Sequence, residues 1–576
     1  MTEYVERKKK GDPFHPNSLL DNIYRRRGLS SMDDLNYDLK NLIKPNFKGI
    51  EQATNILYDS LKNDDRVMVV GDYDCDGATS TSVAVEGFRM LGFSDVRFTV
   101  PDRFTMGYGI SPPVVDHFSP QKPDLVVTVD NGISAFEGCA YVKNLKHPTK
   151  LVITDHHIGG DEVPIADAIV NPNQVGCPFP SKALAGCGVI FYVLLSLKSK
   201  LKSEGWYKDK KEPDLRVLLD LVALGTVADV VPLDKNNRIL VWHGLKRINK
   251  INPVRPGIKA LSKISNCTIG DITSTDFGFN IGPRINSAGR LDDMTVGINC
   301  LLSQNDEDSQ KYATILQNLN DDRKRITAEI SFEANRYLDD LGNIDDLFGL
   351  CVHNNSFNEG VIGIVASRLK ENYNRPAIVF TTSEDGLYKG SGRSVPGVHL
   401  RDILIEVDKQ TEKKCLVKYG GHAMAAGMSI NPKYFEDFKK HFDLEIKKVL
   451  PEIKSVIETD GFISYNDITL DNATLIKNSG PWGQHFPYPV FYSDFVLCDR
   501  RVLKGKHLKM LVKSIDLNND SNPIDAIYFN CVDEKDVLLP EGSVIRMAFE
   551  LSINEYLGNV KIQLMVKHMA PLSDFN

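Results

Sequence analysis

Between residues 67 and 170 the chain repeats one pattern, and that pattern leaves little choice of fold. A short apolar, β-branched run ends in glycine or acidic residues, and a stretch with helical spacing follows. Val67-Met68-Val69-Val70 stops at Gly71 and reads as a parallel strand buried on both faces. Ala84, Phe88 and Leu91 recur at helical spacing until Gly92 closes the helix. The cycle returns at residues 96–100, 125–129, 151–153 and 168–170. Strands alternating with helices predict a doubly wound α/β sheet.

The strand ends carry the chemistry. The first ends in Gly71-Asp72-Tyr73-Asp74-Cys75-Asp76-Gly77, the third in Asp130-Asn131-Gly132 and the fourth in Asp155-His156-His157. A further apolar run with helical character, 215–224, leads into Gly225-Thr226-Val227-Ala228-Asp229. Ligands of an open parallel sheet bind outside the carboxyl ends of its strands, so these groups are expected to meet in one crevice. Two like charges ~4 Å apart repel by about 4 kcal/mol at an effective dielectric near 20. Carboxylates gathered this way are either protonated or hold cations, and cations are the simpler answer. With an imidazole added, the set suits Mn²⁺ or Mg²⁺ better than a thiolate-seeking metal. Two such ions roughly 3.5–4 Å apart activate a water and stabilise both attacking and leaving oxygens of a phosphodiester. The spacing of Asp72, Asp74, Asp76 and Gly77 also opens a calcium-binding EF-hand loop. That loop needs Glu at its twelfth position, where Val83 stands, and a helix in front rather than a strand.

Beyond residue 301 the strand rhythm stops. Tyr312, Ile315, Leu316, Leu319, Ile326, Ile330, Ala334 and Tyr337 trace one face of a long helix without internal Gly or Pro, which reads as a connector between domains. A second α/β unit with many glycines follows over about 350–450, and alternating strands such as 507–512 and 562–566 then predict a small β-barrel. The expected division is a polar, helical amino-terminal segment (1–60), a catalytic α/β domain (61–300), a connecting helix (301–345), a second α/β domain (346–455) and a barrel (456–576).

A chain of 576 residues accommodates that many domains, and no apolar stretch nears the roughly 20 residues of a membrane span. The amino terminus has charge without an apolar segment behind it, and none of the ten cysteines forms a Cys-x-x-Cys pair. Reduced thiols and a cytoplasmic protein are expected. A net charge of −7 is unusual for a nucleic-acid binder, but a carboxylate-built metal site adds negative charge that cations neutralise. The runs Lys8-Lys9-Lys10 and Arg25-Arg26-Arg27 are either phosphate contacts or solvated faces.

The motifs together carry a resemblance. Asp155-His156-His157 matches the motif of the DHH phosphoesterase superfamily, with the aspartate-rich loop and Asp130 in the expected order. Segments spread over nearly the whole chain resemble the RecJ family within it: GDYDCDGATST (71–81), PDRFTMGYGIS (101–111), LDLVALGTVADVVPL (219–233), GPRINSAGRLDD (282–293), KGSGRS (389–394), GGHAMAAG (420–427) and Pro481-Trp482-Gly483.

The resemblance implies a single-stranded-DNA-specific exonuclease that works from the 5′ end in repair and recombination, releasing nucleoside 5′-monophosphates with two Mn²⁺ or Mg²⁺ ions. It implies Asp74, Asp76, Asp130, His156 and Asp229 as metal ligands, with Asp130 shared and Asp72 either a ligand or a group behind one. His157 is implied as a catalytic-site group, either supporting a ligand or touching a phosphate. Many DHH hydrolases place a histidine where this chain has Val70, so one ion would be held with more water. Arg103, Ser391 and Arg393 are implied to hold the 5′-phosphate; Arg284, Asn286 and Arg290 to line the DNA path; and His422 to mark the DHHA1 domain's substrate face. The fold implied is two α/β domains, DHH and DHHA1, joined by a long helix, with a cleft too narrow for duplex between them and a carboxyl-terminal oligonucleotide-binding barrel. Phe491, Tyr492, Lys504, Lys506 and Lys509 are candidate strand contacts there, although aromatics in small barrels are more often core. A single-strand-binding protein and a RecQ-type helicase are the implied partners of a monomer. The rival readings are a DHH oligonucleotide phosphodiesterase, which is usually shorter and lacks the barrel, and a dead scaffold, which would have lost metal-site carboxylates.

Overall fold

A computed structural model describes residues 2–342, 344–411, 415–453, 455–515, 522–531, 538–556 and 558–575. The chain forms two compact units. The larger holds Tyr4–Asn286, Asp293–Thr314 and the chain from Val456 onward; the smaller is built mainly from Ile315–Ser455, with Ser287–Asp292.

The larger unit contains the predicted parallel sheet. Its strands are β1 (Val67–Val70), β2 (Val96–Thr99), β3 (Leu125–Val129), β4 (Lys150–Thr154) and β5 (Ala168–Val170). They lie in the order β2-β1-β3-β4-β5, all parallel. Every residue of β1 and β3 is buried, as their predominantly apolar, β-branched composition leads one to expect. From β1 the chain crosses outward to β2, then returns to β3 on the other side. The direction of winding therefore reverses between β1 and β3, and their carboxyl ends frame the crevice.

Three helices bring further groups to that edge. α1 (Cys75–Leu91) follows β1 and ends at Gly92 in the left-handed region (φ 114°). α2 (Gly186–Ser203) is buried beside it over Gly186–Leu194, and α3 (Leu219–Ala228) over Leu219–Thr226. Arg255 ties two of them together. Its guanidinium donates to Asp220 (Nε–Oδ2 3.1 Å) in the first turn of α3 and to Glu86 near the end of α1. The Arg255 side chain is 8% exposed and that of Asp220 2%, so this is an interior ion pair.

After α4 (Gly282–Leu291) comes α5 (Asp306–Asp340), 35 residues long. Its carboxyl-terminal part is more than a connector, because Ile330, Ala334 and Leu338 join the core of the smaller unit with Leu350, Val352 and Val379. That unit's sheet comprises β6 (Leu350–His353), β7 (Ala377–Thr382), β8 (Tyr388–Arg393), β9 (Leu416–Gly421) and β10 (Ala425–Ile430), in the order β9-β10-β8-β7-β6. Only β6 and β7 pair in parallel.

The barrel belongs to the larger unit and consists of β11 (Phe491–Leu503), β12 (His507–Ser514), β13 (Ile524–Tyr528), β14 (Val544–Tyr556) and β15 (Asn559–Pro571). It closes in the order β11-β12-β13-β15-β14, and closure removes the free strand edge.

The first sixty residues are only partly helical, with helices at Ser18–Arg26 and Ile50–Asn63 and a strand at Thr2–Glu6. Nor is their arginine run a phosphate site or a solvated face. Arg27 is buried and donates to Asp460 and to the Pro487 carbonyl; Arg26 bonds Glu6 and the Arg7 carbonyl; and Arg25 bonds Asp21 and the carbonyls of Lys10 and Gly11. Tyr24 stacks with Trp482 and Phe486, which places the Pro481-Trp482-Gly483 motif in packing. All ten cysteines are free, and among the described residues no helix is long and apolar enough to cross a membrane.

Removing one member of a buried ion pair leaves an uncompensated charge. Arg255→Met should therefore destabilise the larger unit by about 3–5 kcal/mol in urea unfolding. Adding Asp220→Leu should recover part of that loss. Additive losses in the double variant would sink this account of the pair.

Candidate metal centre

The crevice is assembled from backbone outward. Asp74 caps α1, its Oδ1 accepting the Gly77 N–H at 2.9 Å, and this places Asp76 in the first turn. The first free amide of α1, at Cys75, donates to Asn286 Oδ1 of α4 at 2.8 Å. Across the crevice, Asn131 Nδ2 donates to the carbonyls of Val70 (3.0 Å) and Val129 (2.9 Å), fastening the ends of β1 and β3 together. Between these anchors Asp130 takes a left-handed backbone (φ 63°), which aspartate tolerates better than most residues.

Asp76 is gripped by the start of α2. The Gly186 N–H donates to its Oδ2 at 2.6 Å and the Cys187 N–H to its Oδ1 at 3.1 Å. Helix N-termini hold unsatisfied amides and positive dipole, so they suit a carboxylate. Residue 186 must be glycine, because a Cβ there would lie 2.6 Å from Asp130 Cβ.

Asp155 serves inside the turn. Its oxygens accept N–H bonds from Ile133 (2.9 Å), His156 (2.7 Å) and His157 (3.1 Å), and its Oδ1 lies 2.8 Å from His157 Nδ1. His156 is thereby aimed into the crevice, its Nε2 3.1 Å from Asp130 Oδ1, 3.4 Å from Asp229 Oδ2 and 3.9 Å from Asp76 Oδ2. Asp229 sits directly after α3, at a helix end rather than a strand end.

The potential ligand atoms fall into three overlapping groups, each within 4.8 Å: Asp76, His156 and Asp229; Asp72, Asp74 and Asp130; Asp130, His156 and His157. Burial, then the charges of Asp76 and Asp74, push the Asp130 and Asp229 carboxyls well above the ordinary range. Burial and Asp74 push Asp72 up to about 8, and burial with Asp76 raises Asp74. Burial holds His156 below the usual histidine range, leaving a neutral ring with a lone pair. Burial opposes charge on His157 too, but the bond to Asp155 and nearby carboxylates lift it to about 9.

Asp72 Oδ1, Asp130 Oδ1 and His156 Nε2 are buried and make no hydrogen bond. Leaving such atoms unmet is costly, and a carboxylate–imidazole set is the ligand chemistry of Mn²⁺ and Mg²⁺. The residues fit a pair of hard or borderline divalent cations.

The other expected residues divide. Arg103 is half-buried, with its guanidinium 4.7 Å from the Tyr73 ring centroid and its charge felt by Asp72. Ser391 and Arg393 lie together on β8, Arg393 donating to Ser391 Oγ at 3.2 Å beside Gly363. That glycine is in the first turn of the helix Ile362–Tyr373. His422 is exposed between β9 and β10. Arg284, by contrast, is 9% exposed and donates to the Asn280 and Ile264 carbonyls; Arg290 donates to the Gly360 carbonyl; and Asn286 supports Cys75. In the barrel, Phe491 is core, Tyr492 bonds Glu6, Lys509 pairs with Asp525, and Lys504 and Lys506 stand exposed in the turn between β11 and β12. Sequence reasoning missed Tyr108, whose hydroxyl lies 3.3 Å from His157 Nε2, and the amides of Gly186 and Cys187. The tyrosine had no signal beyond its position in a quoted motif; the amides had one, glycines opening an apolar helix.

Residues 66–226 match the DHH family, N-terminal domain; 347–448 the DHHA1 domain; and 459–568 the RecJ OB domain. The chain is 42% identical over 569 residues to the single-stranded-DNA-specific exonuclease RecJ of Haemophilus influenzae, covering 97% of both proteins. To the protein of that name in Escherichia coli it is 42% identical over 563 residues, covering 96% of both. The fold is similar to the crystal structure of RecJ in complex with Mn²⁺ from Thermus thermophilus, with a TM-score of 0.78 and 25% identity. That likeness covers 99% of this chain and 79% of the other.

Ligands that bind only the folded state stabilise it, by about 2.7 kcal/mol at a hundredfold excess over Kd. Mn²⁺ added to EDTA-treated protein should therefore raise its Tm. Asp130→Asn, which keeps the shape and suits the left-handed backbone, should abolish most of that rise. An unchanged rise would place the cations elsewhere.

Proposed function

The chain belongs to the RecJ family of single-stranded-DNA-specific exonucleases, and on that premise we propose that it hydrolyses single-stranded DNA from the 5′ end, releasing nucleoside 5′-monophosphates in repair and recombination. The observation that supports this reading best is the crevice itself, five carboxylates and a neutral imidazole converging with unmet buried oxygens.

Asp76, His156 and Asp229 would hold one Mn²⁺ or Mg²⁺ ion and Asp72 and Asp74 a second, with Asp130 placed to contribute to both. The ions, when bound, supply a water activated as nucleophile and charge stabilisation at the scissile phosphate. The protein's own groups set the geometry. The Gly186 and Cys187 amides fix Asp76, Asp155 fixes the turn that aims His156, and the lifted His157 presents a cationic ring that suits a phosphate oxygen. In the smaller unit, Ser391 and Arg393 beside Gly363 at a helix start make an anion cradle suited to the terminal phosphate, and in the larger unit Arg103 is the further candidate for that phosphate. This capture of a 5′-phosphate is what gives the reaction its direction. The likeness over nearly the full length, barrel included, favours this reading over a shorter oligonucleotide phosphodiesterase, and the intact carboxylates disfavour a dead scaffold. A cytoplasmic monomer working with a single-strand-binding protein and a RecQ-type helicase completes the proposal.

Single-stranded DNA labelled at either end, and duplex, would be incubated with the protein and Mn²⁺. Mononucleotides should come from the 5′ end of single strands, and Asp130→Ala should lose activity by at least the roughly 10²–10³-fold seen when one transition-state charge contact is removed. Binding without cleavage under every divalent cation would leave the scaffold reading standing. Release from the 3′ end would overturn the polarity alone.

A further inference from the structure

Beside the metal centre the surface displays an aromatic ring for which the fold has no internal use. A π-helical turn, Phe277–Ile281, rests on the end of α3: a Cβ at Gly278 would lie 3.7 Å from Val227 Cγ1, and one at Gly282 3.2 Å from Ala228 Cβ. Those two residues immediately precede Asp229. Phe277 and Ile281 point inward and are fully buried, whereas Phe279 is 79% exposed. Val230, the residue after Asp229, is 62% exposed and has a left-handed backbone (φ 60°), a conformation that β-branched residues rarely adopt.

The turn is held firmly. Asn280 Nδ2 donates to Asp276 Oδ1 at 3.0 Å, and the buried Arg284 guanidinium donates to the Asn280 carbonyl. π-turns and strained backbone concentrate at functional positions, and here both flank one candidate ligand, Asp229. Single exposed apolar residues are ordinary; a braced ring and a strained valine that continue a phosphodiester-binding centre are a more specific arrangement.

We propose that Phe279 is a stacking platform for an unpaired nucleobase of the strand engaged at the metal centre. The inference rests on the exonuclease reading and deepens it. A phenyl ring offers no hydrogen bonds, so it accepts any base by its face and reads no sequence. A base inside a duplex has both faces covered by its neighbours and must unstack before it can use the platform. The ring thus favours single strands through the chemistry of the base.

The test uses full-length Phe279→Ala and Phe279→Trp with 5′-phosphorylated (dT)20 and an abasic strand of equal length. The alanine variant should raise KM for (dT)20 roughly 5- to 100-fold, the span seen when stacking aromatics are truncated. It should match the wild type on the abasic strand and keep the Mn²⁺-induced rise in Tm, which separates lost stacking from a damaged centre. Phe279→Trp should retain a low KM, and (dT)20 in EDTA should quench its fluorescence. An unchanged KM on (dT)20, an equal loss on the abasic strand, or no quenching would overturn the platform, the last also pointing to a protein occupant. A wild type that cuts no single strand would overturn the exonuclease reading instead, and the quenching would still decide the platform.

Discussion

Everything in the larger unit is subordinate to one electrostatic problem, the gathering of several aspartates in one largely buried crevice. Repulsion of about 4 kcal/mol for each close pair has to be met inside the fold. Three kinds of group meet it. Helix-end amides bond to Asp76, a histidine turn organised by Asp155 inserts a neutral ring, and the remaining unmet oxygens are left for cations. The strand order makes this possible at all, because only at the reversal between β1 and β3 do two neighbouring strand ends diverge.

Satisfied and unsatisfied atoms are sharply separated in this site. Asp155 has the burial and strand-end placement of a ligand, yet its oxygens are taken by backbone amides and His157. Asp72 and Asp130 each keep a buried oxygen without a hydrogen bond. Hydrogen bonding therefore separates Asp155 from Asp72 and Asp130 where residue type and burial do not, while Asp76 is both held by the Gly186 and Cys187 amides and placed among the candidate ligands.

Much of this was legible beforehand. The apolar run of β1 and the β-branched run of β3 announce strands buried on both faces, and Gly92 announces the end of α1. The convergence of Asp76, Asp130, His156 and Asp229 follows from a rule about parallel sheets applied to scattered motifs. What stayed hidden depends on which partner a long side chain finds. Arg25, Arg26 and Arg27 look like a solvent-facing or phosphate-binding run, but their guanidiniums are taken up by carbonyls and carboxylates of the fold, that of Arg27 in a buried pair with Asp460. Arg284 and Asn286 share a motif associated with the DNA path, yet one braces a π-turn and the other caps α1. Spacing says which residues travel together along a helix, not which of them turn inward. The same applies to Phe279, flanked by two aromatic and aliphatic residues that are core.

The left-handed backbone at Asp130 bears on how this fold can age. Few side chains accept that conformation, chiefly glycine and asparagine besides aspartate. A descendant released from the need for catalysis would not drift freely at this position. Its replacements would be narrowed to those few residues by the chain's own stereochemistry, while His156, under no such restraint, could become almost anything compatible with its neighbours. Loss of activity in such a lineage would leave a lopsided record: a conservative-looking exchange at the aspartate, and disorderly change at the histidine.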